Sequence, residues 1–426
     1  MKVICAPVNK IPKELEKNTK YFSLYSNSGQ PNVNFISNGW LRQLKHENIT
    51  PSNLVWDFVT IALSIAAADL SCEREKSEDG WTRQIELKIY LFNPEPWKTQ
   101  YKLLEKAFRF LTGDLWKFEF VNNGVQAPTS IIPIETDSDC ISLLSGGMDS
   151  LIGAIDLITD GHKPSFVSQE AKGDVEKQEA FTHQLAPSQQ HFRWKNPISL
   201  SGRNESSTRG RSVVFLAYAL LAATTLSKWK TSTVDIYVPE NGFISLNIAL
   251  NPGRLGSLST KTTHPIFLGL IQNIWDNLEI NAKLVTPYQF KTKGEMLLEC
   301  KNQDLVKSLV CRTTSCGKFL THGRTHCGRC VPCMVRRAAF FKAGIEDSTI
   351  YKYRDLSNNR FSKTQGPNDV NAVASAYVKY QNKGIERIIG GALSFSVIDN
   401  RNMYVGVVER GLKELGNLLE EQNIIL

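Results

Sequence analysis

The sequence predicts an α/β protein: a Rossmann-like doubly wound parallel sheet in mid-chain, preceded by an α+β module and followed by a helical extension. Three observations carry this. From Cys140 onward, short apolar strands alternate with helical patterns, the rhythm of a parallel sheet covered by helices. Before it, residues 83–91 (RQIELKIYL) alternate polar and apolar with period two, as a half-buried strand does. After it, residues 405–422 repeat apolar side chains at helical spacing. The boundaries fall at 1–130 for the first module, 139–345 for the core and 346–426 for the extension.

In the first module, residues 54–70 form an apolar helix. Asp57, Asp69 and four alanines within it point to a buried helix rather than a membrane span. A helix over 96–111 and a strand over Leu115–Val121 follow. Chemistry-bearing residues do not gather here, and the module reads as a docking or scaffolding unit. Residues 122–139, with Pro128 and Pro133, form the linker. In the core, strands are expected over 165–168, 192–200, 234–238 and 282–285, with helices near 174–185 and over 212–226 and 264–278. Residues 367–426 are helical and expected to pack on the core, and the chain shows no internal repeat. The opening residues 1–7 lack a long apolar run, so no signal peptide is expected and a cytoplasmic location follows.

The most informative stretch is Leu144-Ser145-Gly146-Gly147-Met148-Asp149-Ser150, between a buried strand and an amphipathic helix. It sets bare backbone N–H groups and two hydroxyls at a helix N-terminus, where hydrogen bonding and the helix dipole both favour phosphate. A carboxylate at Asp149 would repel phosphate unless a divalent cation lay between them, so the implied ligand is a nucleotide polyphosphate with Mg²⁺. No Gly-Lys-Ser or Gly-Lys-Thr follows the glycines, which excludes a Walker loop. The net charge of +8, spread along the chain, suits an anionic partner that ATP alone satisfies, and it does not single out nucleic acid.

Five of nine cysteines fall in one window, which favours a metal site over disulfides. Cys316, Cys327, Cys330 and Cys333 supply the four thiolates of a closed structural zinc site, with Gly328 easing the knuckle turn. The alternatives are free core thiols, or Cys311, His322 or His326 in place of Cys316. The site is expected to hold a loop that closes over the active centre.

The Ser-Gly-Gly-x-Asp-Ser pattern resembles the PP-loop of the ATP pyrophosphatases. Together with the four cysteines, and Arg336 and Arg337 after them, it resembles the 7-cyano-7-deazaguanine synthase (QueC) family over about residues 139–345. Gly210-Arg211-Ser212 is similar to that family's Gly-Arg-Asn segment, with Ser in place of Asn. Residues 239–247 and 259–265, and the added terminal regions, look like the enlarged QueC-like proteins of anti-phage cassettes, such as QatC.

The resemblance implies a HUP-type PP-loop core that binds ATP through Leu144–Ser150 and cleaves it to AMP and pyrophosphate. The carboxylate of a 7-carboxy-7-deazaguanine-like substrate would be activated and attacked by an amine, giving an amide or nitrile. Asp149, Ser150 and Arg211 would be catalytic, although Arg211 is equally read as an ordinary helix-start arginine. Glu240 and Asn241 would read the base edge, or else form a structural turn. His264 before Pro265 reads as a helix-start residue. The amine is ammonia or a protein amine supplied by a partner from the same cassette; no membrane partner is expected. Two other readings stand beside this one: a tRNA-thiolation enzyme using Cys300 or Cys311, and a non-catalytic subunit sensing ATP or a deazaguanine.

Overall fold

The structure, a computed structural model, describes residues 1–27, 30–170, 173–195, 197–250, 261–357, 369–389, 393 and 400–425. Ser259 and Thr260, singled out above, lie outside the described residues. Strands β1 (Lys2–Ala6), β2 (Thr19–Ser23), β3 (Val33–Ile36), β4 (Gln84–Tyr90) and β5 (Leu115–Val121) form a parallel sheet in the order β5-β4-β1-β2-β3. The chain then begins a second sheet with β6 (Cys140–Leu143), β7 (Pro164–Glu170) and β8 (His191–Lys195). It leaves to place β9 (Ile198–Ser199) antiparallel to β3 at the edge of the first sheet. β10 (Val234–Tyr237) and β11 (Ala282–Val285) complete the second sheet, parallel throughout, in the order β11-β10-β6-β7-β8.

Counted from its own first strand and leaving aside β9, the parallel strands of each sheet have the order 3-2-1-4-5, in which the winding reverses beside the first strand. The first module is therefore a parallel α/β sheet, a correction to the α+β arrangement predicted. Its central strand β1 has only five residues, with Val3, Cys5 and Ala6 buried, and so short an apolar run shows no diagnostic period. Two further elements differ from expectation. The helix over 96–111 is divided into Pro94–Thr99 and Tyr101–Thr112, and the strand over 192–200 is divided between the two sheets as β8 and β9.

The two sheets are joined by their helices. Asn53–Ser71, which links β3 to β4, packs on Arg211–Ala223, which links β9 to β10. Tyr101–Thr112, between β4 and β5, packs on Pro265–Asn277, between β10 and β11. The facing helices thus hold equivalent places in their sheets. Ser52 starts the first of them by accepting from Val55 N–H at 3.3 Å. Asn53–Ser71 is long and apolar enough to cross a membrane, but it lies inside this helix layer, and one buried apolar cluster runs from Val3 to Ala282 through both sheets. Trp40 of the first half stacks between Trp56 and Tyr218, its ring centroid 5.8 and 5.5 Å from theirs. Such contacts add about 0.5–1.5 kcal/mol each beyond area burial.

A second apolar cluster docks the C-terminal helices Asp369–Lys383 and Arg401–Glu421 against Gly242–Ser245 and Val331–Ala343, so the extension packs on the core as expected. This position brings Arg401–Glu421 up to the carboxyl ends of β10 and β11.

Candidate functional site

The loop after β6 sits where ligands bind in doubly wound sheets, beside the reversal of strand order between β6 and β10. Leu144 N–H still donates to Val167 O at 2.8 Å, and the helix Met148–Thr159 begins four residues later. Between them Gly146 has φ +88°, a left-handed conformation that favours glycine. The hydroxyls lock the turn. Ser150 Oγ donates to Gly147 O at 3.0 Å and accepts from Ser145 N–H at 3.2 Å, while Ser145 Oγ accepts from Gly147 N–H at 3.3 Å. Leu144 and Met148 bury their side chains in an apolar cluster, so only their backbone faces the loop.

Asp149 lies in the first turn of that helix and is buried. Its Oδ1 accepts from Lys293 Nζ, and its Oδ2 accepts from Asn241 Nδ2 at 2.7 Å and Asn241 N–H at 3.2 Å. A lysine thus stands beside this carboxylate. Burial alone would raise the Asp149 pKa, but the Lys293 charge and hydrogen bonds from Glu240 and Asn241 hold it below the usual carboxylate range. Glu240 shows the reverse. Burial and the Asp149 charge push it well above its ordinary value, so of the two carboxyls Glu240 holds a proton more readily. Gly153 makes this juxtaposition possible: a Cβ there would lie 2.4 Å from Pro239 Cβ, so only glycine lets the end of β10 close on the helix. Asn241 also N-caps Gly242–Ser245, accepting from Ile244 N–H at 2.9 Å, so both ends of its amide are engaged inside the protein.

On the β7 side of the loop lies a cavity of about 410 Å³ lined by Ser145, Gln169, Asp174, Arg209, Arg211 and neighbours. Arg211 Nε donates to Gln169 Oε1 at 3.2 Å, which holds the guanidinium at this wall. Gly210 precedes the helix Arg211–Ala223 as its N-cap. His264 caps the helix after it, accepting from Ile266 N–H at 3.2 Å, in keeping with a helix-start residue. On the β10 side a smaller cavity, about 270 Å³, is lined by residues including Glu240, Thr286 and Tyr404.

The four cysteines come together. Cys316, Cys327, Cys330 and Cys333 are buried, with their sulfurs all within 4.8 Å of one another. The Cys327–Cys333 and Cys316–Cys330 sulfur pairs are 3.9 Å apart. Sulfurs on a tetrahedral zinc, each at about 2.3 Å, stand about 3.8 Å from one another, so the donor set fits that ion. Backbone N–H groups of Cys327 and Lys318 point at Cys316 Sγ (3.3 and 3.4 Å), and those of Cys330 and Arg329 at Cys327 Sγ (3.2 and 3.4 Å), which favours thiolates. The alternative ligands stand elsewhere: Cys311 Sγ faces Glu346 O at 3.9 Å, and His326 Nε2 accepts from Ser315 N–H at 3.2 Å. Just before the cluster, Thr314 N–H donates to Gly146 O at 3.0 Å, and Lys177 Nζ donates to Thr314 Oγ1 at 2.5 Å. Arg336, fully buried, anchors the same segment by donating to Thr313 Oγ1 at 2.6 Å and Val310 O at 2.9 Å. The cysteine-bound segment thus abuts the Ser145–Ser150 loop.

Sequence reasoning did not find Lys293, Thr314 or Lys177. Lys293 follows Thr292, whose capping box with Glu295 was a legible helix start, but nothing local tied that helix to Asp149.

No family model matches the chain. Part of it is similar to 7-cyano-7-deazaguanine synthases: 40% identical over 75 residues to that of Paracoccus denitrificans, 35% over 83 residues to that of Brucella anthropi, and 34% over 88 residues to that of Rhizobium johnstonii. These stretches cover 18–20% of this chain and 30–35% of each relative, so the chain matches about a third of their length. The matches support a relation to the QueC-like family.

Proposed function

We propose that this chain is an ATP-dependent carbon–nitrogen ligase of the 7-cyano-7-deazaguanine synthase type. The observation that carries the reading is the Ser145–Ser150 loop at the β6–β10 reversal, with an arginine-lined cavity on one side and the Asp149–Lys293 pair beneath it. ATP would lie in the larger cavity, its phosphates meeting the loop N–H groups, Ser145 and Ser150, with Arg211 at the wall. A carboxylate oxygen of the substrate attacks the α-phosphorus, the bond to the bridging oxygen breaks, and pyrophosphate leaves. The amine nitrogen then attacks the acyl carbon, AMP departs with the bonding pair, and the nitrogen loses a proton. A nitrile requires a second activation, in which the amide oxygen leaves with AMP.

The protein's contribution is to orient two reactants and to set fixed charge beside the developing anion. Lys293 balances Asp149, so the loop presents no uncompensated negative charge to phosphate. Mg²⁺ would enter on the ATP phosphates and neutralise charge on the leaving group. Zinc on the four cysteines would hold Thr314 against Gly146.

The finer reading places the enzyme in the cytoplasm as part of an anti-phage cassette, with a protein amine as acceptor in place of ammonia. The extra N-terminal module motivates it, and unmodified partner proteins in mass spectra of co-expressed cassettes would overturn it. For the thiolation reading, burial pushes the Cys300 thiol up to about 12 and zinc would engage four other cysteines, so Cys311 would have to carry the persulfide. Incubation with ATP, Mg²⁺ and 7-carboxy-7-deazaguanine tests the main proposal; absence of AMP and of any amide or nitrile overturns it. A sensor without turnover would keep its cassette function in a combined Asp149→Asn, Lys293→Met variant that thermal melts show to be folded, whereas an enzyme would lose it.

A further inference from the structure

Among the described residues, only two groups of three or more metal-ligating side chains bring their donor atoms within 4.8 Å of one another. One is the four-cysteine cluster. The other, Asp139, Cys140 and His162, lies at the amino ends of β6 and β7, opposite the end of the sheet that carries the Ser145–Ser150 loop. The activation chemistry uses none of its side chains.

Local structure assembles this trio. Asp139 and Cys140 lead from the linker into β6, and His162 and Lys163 lead into β7 beside it. Asp139 N–H donates to Lys163 O at 3.1 Å, and Lys163 N–H donates to Asp139 Oδ1 at 2.9 Å. That leaves Oδ2 facing His162 Nδ1 at 2.8 Å, and the Cys140 thiol hydrogen-bonds the same carboxylate. The helix Met148–Thr159 ends in a Schellman turn, with Gly161 N–H donating to Ile158 O and His162 N–H to Leu157 O, both at 3.0 Å, which fixes the histidine backbone.

The donors suit one class of ion. A thiolate, an imidazole nitrogen and a carboxylate oxygen are ligands for zinc, and for cobalt(II) in its place. On a tetrahedral ion of that size such donors stand about 3.3–3.7 Å apart, so His162 Nδ1 and Asp139 Oδ2 need part by only about 0.5 Å. Both side chains are partly exposed, 39% and 44%, so the shift meets solvent rather than core. One carboxylate and one thiolate balance the two positive charges, and no net charge is buried. The ion displaces protons now held between these groups: the thiol proton leaves to solvent and the imidazole proton moves to Nε2.

We propose that Asp139, Cys140 and His162 form a second, three-donor site for a zinc-class divalent ion. Three protein donors leave the ion a position for water, unlike a closed set of four thiolates, so the ion exchanges. Held there, it clasps the last linker residue to the start of β7 and takes no part in chemistry at the opposite end of the sheet.

The full-length protein, loaded with one equivalent of Zn²⁺ that the four thiolates take first, is titrated with Co²⁺. Absorption spectra and metal analysis after equilibrium dialysis follow the binding. The expected result is one further ion per chain, with a thiolate-to-cobalt charge-transfer band. His162→Ala should raise its dissociation constant at least about 100-fold, and Asp139→Asn, which keeps an acceptor for Lys163 N–H, about ten-fold or more. Cys140→Ala should abolish the band. Cys140 is buried in β6, so where that variant fails to fold, His162→Ala at a partly exposed position carries the test. No further ion, equal binding in His162→Ala, or a band unchanged in Cys140→Ala, as exchange at the four cysteines would give, overturns the site.

Discussion

The carboxylate of Asp69 accepts from the backbone N–H of Gly210 at 2.6 Å. Its Oδ2 also accepts from Arg209 N–H at 2.5 Å, and its Oδ1 accepts from Arg83 Nη2 at 2.5 Å. A side chain on the first-half helix thus fixes the backbone just before Arg211 at the wall of the larger cavity, while the Arg209 guanidinium donates to Thr112 O and lies over Trp81. Asp69→Ala leaves buried Arg83 and two N–H groups short of an acceptor, and stability should fall by about 3–5 kcal/mol. In Asp69→Asn, which keeps one acceptor oxygen, KM for ATP should rise about ten-fold with a smaller loss of stability. Urea unfolding and AMP-formation kinetics check both variants.

Lys293→Met removes the cation from a buried carboxylate. Asp149 must then take up a proton or stay buried without its counter-charge, at a cost of about 3–5 kcal/mol. AMP formation should fall about 100-fold or more. The combined Lys293→Met, Asp149→Asn variant should recover most of the stability and none of the activity, which thermal melts and turnover assays separate.

Glu414 of the C-terminal helix is buried where it accepts from Thr292 Oγ1. Burial first, and Glu295 beside it, raise its pKa to about 7, against the lowering effects of Thr292, the Gly294 N–H and Lys342. A raised carboxyl pKa favours folding while the group is protonated. The contribution is complete below the unfolded value of 4.5 and is lost as pH rises through about 7. The difference amounts to roughly 3 kcal/mol. Stability attributable to this group should therefore decline from pH 5 to pH 8 on the order of that amount, and Glu414→Gln should flatten the profile measured by urea unfolding across that range.

Stripping the four-cysteine site with a chelator should release one zinc per chain, counted by a colorimetric indicator. Thr314 would lose its anchor beside Gly146, so proteolysis should begin within residues 313–330, and AMP formation should fall together with metal content. Cys327→Ser should behave like the chelated protein.

What could be read beforehand was local. The loop at 144–150 and the cysteines at 316–333 are compact in sequence, and each carries its chemistry in its spacing. The second sheet was also legible, because its strands alternate with long helices. The first sheet was not: β1 to β3 are four or five residues long, and only β4 and β5 alternate cleanly. Lys293 and Asp69 escaped for another reason. Each acts on a residue more than 130 positions away, a relation set by tertiary packing and absent from any local pattern. Asn241 was read either as a base-edge reader or as part of a structural turn, and its amide is engaged by Asp149 and Ile244.

The matched strand orders of the two sheets, with equivalent helices facing each other, have the geometry of an isologous dimer folded into one polypeptide. The half that bears the loop therefore carries its neighbour in cis, and that face is closed to a second molecule. Loss of the first half would bare the apolar helix Arg211–Ala223. The second half produced alone should aggregate, while the whole chain should melt in one transition and sediment as a monomer unless another face recruits a partner.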